Sequence, residues 1–118
     1  MKKLHLTLKK EWFDMILSGE KKEEYREIKR YWIHRLCNEV EYENGAAWEA
    51  VFKKFDVIEF KNGYGKNAPT MTVKLDGIKI GLGIMSWGAY PGVEFFVIKL
   101  GEIIETKNLT TTDLTINH

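Results

Sequence analysis

From Phe55 to Leu100 the chain offers one strand-like run after another, with no interval long enough for a crossover helix. Phe55 to Lys61 runs into the turn pair Asn62-Gly63. Met71 to Leu75 and Ile78 to Leu82 flank Asp76-Gly77, a pair that favours the tight turn of a hairpin. Pro91-Gly92 introduces Glu94 to Leu100, with Phe95-Phe96-Val97-Ile98 at its heart. Parallel strands need connections of about a dozen residues or more, usually helical, so this spacing disfavours a doubly wound sheet. It predicts a mainly β domain with flanking helices, closed as a small, mostly antiparallel β-barrel.

The first third of the chain supplies the helices. Leu4, Leu6 and Leu8 alternate with His5 and Thr7, a period of two that fits a strand over 3–8 buried on one face. From Glu11 the period lengthens: Trp12, Phe13, Ile16 and Leu17 form one stripe of a helix over 9–18, and Gly19 stands where a left-handed cap stops it. Tyr31, Trp32, Arg35 and Leu36 share one side of a second helix over 29–38, and the polar stretch Glu39 to Ala47, containing Asn44-Gly45, reads as a loop. After Glu105 the sequence turns to Thr, Asn and Asp, so residues 1–105 are expected to form one domain and 106–118 a loosely held tail.

An apolar fraction of 44% with four Trp, five Tyr and six Phe supplies one core and little more. The formal charge of +1 excludes an argument for polyanion binding from whole-molecule charge. Its distribution is more informative, since the basic-leaning segment 19–35 abuts an acidic one at 39–49. The single Cys37 forbids an internal disulfide and is expected as a half-buried structural thiol, which fits a reducing cytoplasm. No segment has the roughly 20 apolar residues of a membrane span, so no membrane partner is expected. His5, His34 and His118 are scattered singly, with His34 on a helix surface, so neither a metal nor another cofactor is expected. Gly63-Tyr64-Gly65 and Gly81-Leu82-Gly83 lack the spacing of a dinucleotide fingerprint.

The run Gly19-Glu20-Lys21-Lys22-Glu23-Glu24-Tyr25-Arg26 stands directly behind the first helix. If extended, it puts Lys22, Glu24 and Arg26 on one face and Lys21, Glu23 and Tyr25 on the other. The run resembles the Gly-x-Lys-x-x-Glu-x-Arg motif of ASCH domains, and the similarity extends over residues 3 to 104 through the opening Leu4-His5-Leu6, the helix Trp12 to Ser18, the strand Phe55 to Phe60 and the final Phe95 to Leu100. The resemblance implies a PUA-like barrel, a partner that is RNA or a modified nucleoside, and a cleft holding Lys21, Glu24 and Arg26. Some small ASCH-like enzymes hydrolyse N4-acetylcytidine with a Lys, a Thr where this chain has Glu24, and a later Glu. No counterpart of that Glu is evident in the loop Gly83 to Val93.

Read by themselves, Lys21, Glu24 and Arg26 are either solvated charges forming weak ion pairs or a recognition set. In the second case Arg26 offers a planar fork of donors, Lys21 a point charge, and Glu24 either orients Arg26 or accepts from an exocyclic amine. Tyr64 and Trp87, each flanked by glycine, either pack a loop or stack on a base. Lys29, Arg30 and Lys66 are the candidates for phosphate contacts, while Trp12, Phe13, Phe60, Phe95 and Phe96 are assigned to the core. Three functions remain open: an RNA- or modified-nucleotide-binding module, a small amidohydrolase on modified cytidine with Lys21 and Glu24 in acid-base roles, and a protein-interaction domain without a nucleic-acid ligand.

Overall fold

The computed structural model describes the backbone of residues 1–43, 47–110 and Asp113, and the side chains of all of these except 39–43 and 47–50. In chain order the elements are β1 (Lys3–Leu8), α1 (Lys10–Leu17), β2 (Glu23–Arg26), α2 (Arg30–Leu36), β3 (Cys37–Glu43), β4 (Ala47–Phe52), β5 (Val57–Asn62), β6 (Thr70–Leu82), a single 3-10 turn at Met85–Trp87 and β7 (Glu94–Lys107). Five strands form one sheet in the order β1-β5-β6-β7-β2, and β3 and β4 pair separately. Only β1 and β5 run parallel; the other pairs are antiparallel. Among the described residues no helix is long and apolar enough to cross a membrane.

The fold is mainly β with two helices, as expected, but the closed barrel is not formed. The sheet stays open between its edge strands β1 and β2. Part of the reason is that side chains occupy the gap: Arg35 Nη2 donates to the His5 carbonyl at 2.9 Å and Arg26 Nη2 reaches the Thr7 carbonyl at 3.4 Å. Two outward carbonyls of β1 are thus satisfied by guanidinium groups where a neighbouring strand would otherwise supply its amides.

The Asp76-Gly77 hairpin is corrected as well. Residues 70–82 form one long strand because β7 is long enough to pair with all of it, and irregularities in the register absorb the dipeptide. Gly77 takes φ +149°, a conformation that side chains disfavour. Opposite it the backbone crowds Asp76, since a Cβ on Gly101 would lie 2.8 Å from Asp76 Oδ1. The loop expected over Glu39 to Ala47 is instead largely the β3–β4 hairpin, with Asn44-Gly45 outside the described residues. Cys37 enters β3 directly, so α2 stops short of residue 38; the thiol is fully buried and its pKa is raised by burial. Of the expected tail, Thr106 and Lys107 belong to β7, Leu109 packs against the core and Asp113 is buried, accepting hydrogen bonds from Thr110; residues 111–112 and 114–118 lie outside the described residues.

The period-two leucines of β1 point into the main core with Phe13, Ile16 and Leu17 of α1, Leu36 of α2, Ile58 and Phe60 of β5, and Phe96, Ile98 and Leu100 of β7. The alternate residues Phe95 and Val97 join Tyr25 and Ala89 in a second cluster, with Trp87 against it. Strand β7 is therefore buried on both faces, which explains its unbroken apolar run. Phe96 has no exposure and meets Phe52 edge-on at 5.9 Å. Phe96→Ala is expected to remove about 3 to 5 kcal/mol of stability, measured by urea denaturation; a loss below about 1 kcal/mol contradicts this assignment of the core.

Candidate functional site

Helix α1 ends at Ser18, and Gly19, at φ +86°, turns the chain back so that its amide and that of Lys21 hydrogen-bond to Ile16 and Met15 carbonyls at 3.0 Å. This return drives the Lys21 side chain inward before β2 begins. Its ammonium is 1% exposed, donates to the Trp87 carbonyl, lies 3.3 Å from Glu24 Oε1, and faces the rings of Trp12 and Tyr25 at 5.1 and 4.8 Å. Burial draws its pKa below the ordinary lysine value, against the upward pull of Glu24. The face assignment for an extended run therefore fails at one residue: Lys21, rather than Lys22, joins Glu24, because it lies in the turn before the strand.

Glu24 is the centre of the set. Oε1 faces Lys21 and accepts the Tyr25 amide at 3.1 Å, whereas Oε2 lies 3.2 Å from Arg26 Nη1 outside hydrogen-bonding alignment and has no hydrogen-bond partner among the described residues. Arg26 Nη1 instead donates to the Tyr25 carbonyl at 2.8 Å, and its guanidinium stands 5.0 Å from the Trp32 ring centre. Arg35 lies 5.3 Å from the same ring. Lys21, Glu24 and Arg26 thus form one chain of alternating charge, buried at Lys21 and Glu24 and half-buried at Arg26.

This chain lies beside a cleft of about 890 Å³ running between β1 and β2. Glu24, Tyr25 and Arg26 form one side and His5 to Leu8 the other. Lys9 and Trp12 close it from α1, and Tyr31, Trp32 and Arg35 from α2. Tyr64 and the Trp87-Gly88 turn form the rim, with Glu27 and Lys29 beside them. Tyr64 is 89% exposed and free to change its packing. Gly88 is required by close approach as well as by its φ of +104°, since a Cβ there would meet the Trp12 indole at 3.2 Å.

Of the residues singled out in the sequence, Glu24, Arg26, Tyr64, Trp87 and Lys29 line this cleft, and Lys21 sits behind it. Arg30 lines a different cavity, and Lys66 is exposed away from both. Trp12 is not a core residue: it is half-buried and spans Lys21 and the cleft. Trp32 and Arg35 were readable only as one side of a helix; the stacking of two arginines near one indole depends on β1 and β2 approaching each other. No family model, no curated protein and no solved structure matches the chain.

Chemically the cleft presents an arginine fork backed by a buried carboxylate, together with several aromatic faces, a set suited to a flat ligand with polar edges. Tyr25 stands at its inner margin, donating to Glu23 at 2.8 Å and accepting the Ile84 amide at 2.9 Å. Desolvation by burial pushes its pKa from 10.0 up to about 12. The folded state therefore holds this proton more tightly than the unfolded chain, so the contribution of Tyr25 to stability is whole below pH 10.0 and is lost as pH rises through about 12. A phenolate absorbance titration, followed together with circular dichroism, is expected to show a late phase that Tyr25→Phe removes. Ionisation of every tyrosine near the ordinary value contradicts the geometry.

Proposed function

We propose that the chain is an ASCH-like, PUA-type module that binds RNA or a modified nucleoside in the cleft between β1 and β2, within the cytoplasm. The observation that carries this reading is the buried Glu24 carboxylate beside the cleft, whose Oε2 has the Arg26 guanidinium at 3.2 Å but no aligned hydrogen bond among the described residues. Such an atom is costly to leave unsatisfied, and an amine or ring N–H of a base satisfies it. Arg26 supplies the opposite polarity beside it, and Trp32, Tyr64 and Trp87 supply surfaces on which a base stacks.

An amidohydrolase acting on modified cytidine is the second reading, favoured by the lowered pKa of Lys21 beside Glu24. Against it, Lys21 lies behind the cleft wall, held by the Trp87 carbonyl and two rings. Binding without turnover is therefore ranked first.

Tyr64 provides a clean test because its exposure leaves little structural role to lose. Tyr64→Ala is expected to leave the melting temperature unchanged and to weaken binding of single-stranded RNA by about 1 to 3 kcal/mol, read by fluorescence anisotropy. Glu24→Gln, which keeps the shape and removes the charge at a cost in stability, is expected to change which nucleosides raise the variant's own melting temperature in a thermal-shift panel. Unaltered ligand preference in Glu24→Gln contradicts the reading, and acetate release from N4-acetylcytidine that disappears in Lys21→Ala replaces it with the hydrolase.

A further inference from the structure

Helix α2 separates the cleft from a second cavity of about 430 Å³. Arg30 and His34, one turn apart on α2, line it with Lys2 from the chain before β1 and Lys53 from the chain after β4. Tyr31 and Arg35 line both cavities, so the two meet along one side of the helix. Among the described residues no carboxylate lines the second cavity, and none of Lys2, Arg30, Arg35 and Lys53 is within ion-pair distance of one. Asp56 accepts the backbone amide of Lys2 at 2.7 Å, and the Lys2 ammonium lies beside the Phe55 ring. Lys53 Nζ donates to the His34 carbonyl at 3.0 Å, which holds one cation against the end of α2.

The cations beside the cleft are neutralised close by, as Lys21 and Arg26 are by Glu24, whereas those of the second cavity converge on one concavity with no such partner among the described residues. A concave surface that gathers four permanent cations without a counter-charge is complementary to a polyanion. Its continuity with the cleft says which one, because a base seated between β1 and β2 carries its own backbone across Tyr31 and Arg35.

We propose that this groove holds backbone phosphate of the nucleotide next to the one in the cleft, so that the ligand is a single strand of RNA of at least two nucleotides. The proposal rests on the reading of the cleft given above. It moves the phosphate contacts away from Lys66 and onto Lys2, Arg30 and Lys53, with Arg35 shared between base and backbone.

The test uses the full chain and a 5′-fluorescein-labelled single-stranded RNA decamer of random sequence, titrated by anisotropy over a range of salt. Arg30→Gln with Lys53→Gln is expected to weaken binding about tenfold near 0.1 M salt and to flatten the slope of log affinity against log salt by about 1.4, the value for two lost contacts on a single strand. Lys66→Gln is expected to do neither. Because Lys53 also braces α2, the pair Lys2→Gln with Arg30→Gln serves as a second variant, expected to act alike without lowering the melting temperature. Decamer binding that ignores both double variants but is lost in Trp32→Ala overturns the groove and leaves the cleft reading standing. Binding that responds to the double variants but ignores Trp32→Ala and Tyr64→Ala supports a phosphate groove and removes the base from the cleft. No decamer binding by the unaltered protein overturns both.

Discussion

A lysine ammonium buried behind the β1–β2 seam is the interaction on which the rest of the site depends. Removing such a charge from water costs several kcal/mol even after relaxation, and Lys21 offsets that cost with everything in reach: the Glu24 carboxylate, the Trp87 carbonyl and the faces of Trp12 and Tyr25. These partners come from α1, β2 and the turn after β6. Their convergence joins three elements that β-ladder bonds alone do not connect. It fixes one end of Glu24 and leaves the other oxygen facing the Arg26 guanidinium beside the cleft.

The open sheet follows from the same chemistry carried one strand further. Exposed strand edges are templates for unwanted pairing, and here the edge of β1 is covered by side chains rather than by a strand. Arg26 and Arg35 take carbonyls of β1 while lying near the face of Trp32. The guanidinium groups keep the strands apart, and the space between them is the cleft. Architecture and candidate site are thus two consequences of one substitution, side-chain donors where backbone donors would close a barrel.

Much of the fold was legible because its signals are local. The leucines of β1, the stripe Phe13-Ile16-Leu17, the cap at Gly19 and the unbroken run of β7 each declare their element through periodicity. Asp76-Gly77 misled because a turn pair reads identically in a hairpin and in a bulge. The choice was made by the length of β7, a partner more than twenty residues away. The hairpin β3–β4 was hidden because its first strand, Cys-Asn-Glu-Val-Glu-Tyr-Glu, is polar at alternate positions and acidic enough to resemble a loop. In the site, Glu24 and Arg26 were singled out by the resemblance to the ASCH motif and Tyr64 and Trp87 by their flanking glycines, and the four residues line one cleft. Trp12 and Arg35 could not be, since an aromatic on a helix stripe looks like core until its neighbours are known.

The central claim is that Lys21 and Glu24 act as one buried unit that builds the cleft, and a double-mutant cycle tests it most directly. Urea denaturation of Lys21→Met, Glu24→Gln and the pair together gives the coupling. Breaking a buried pair from one side strands the other charge, so each single change is predicted to cost about 3 to 5 kcal/mol. The pair is predicted to cost less than the sum by about 1 to 3 kcal/mol. Simple additivity contradicts the account, because it means that the two charges do not sense each other.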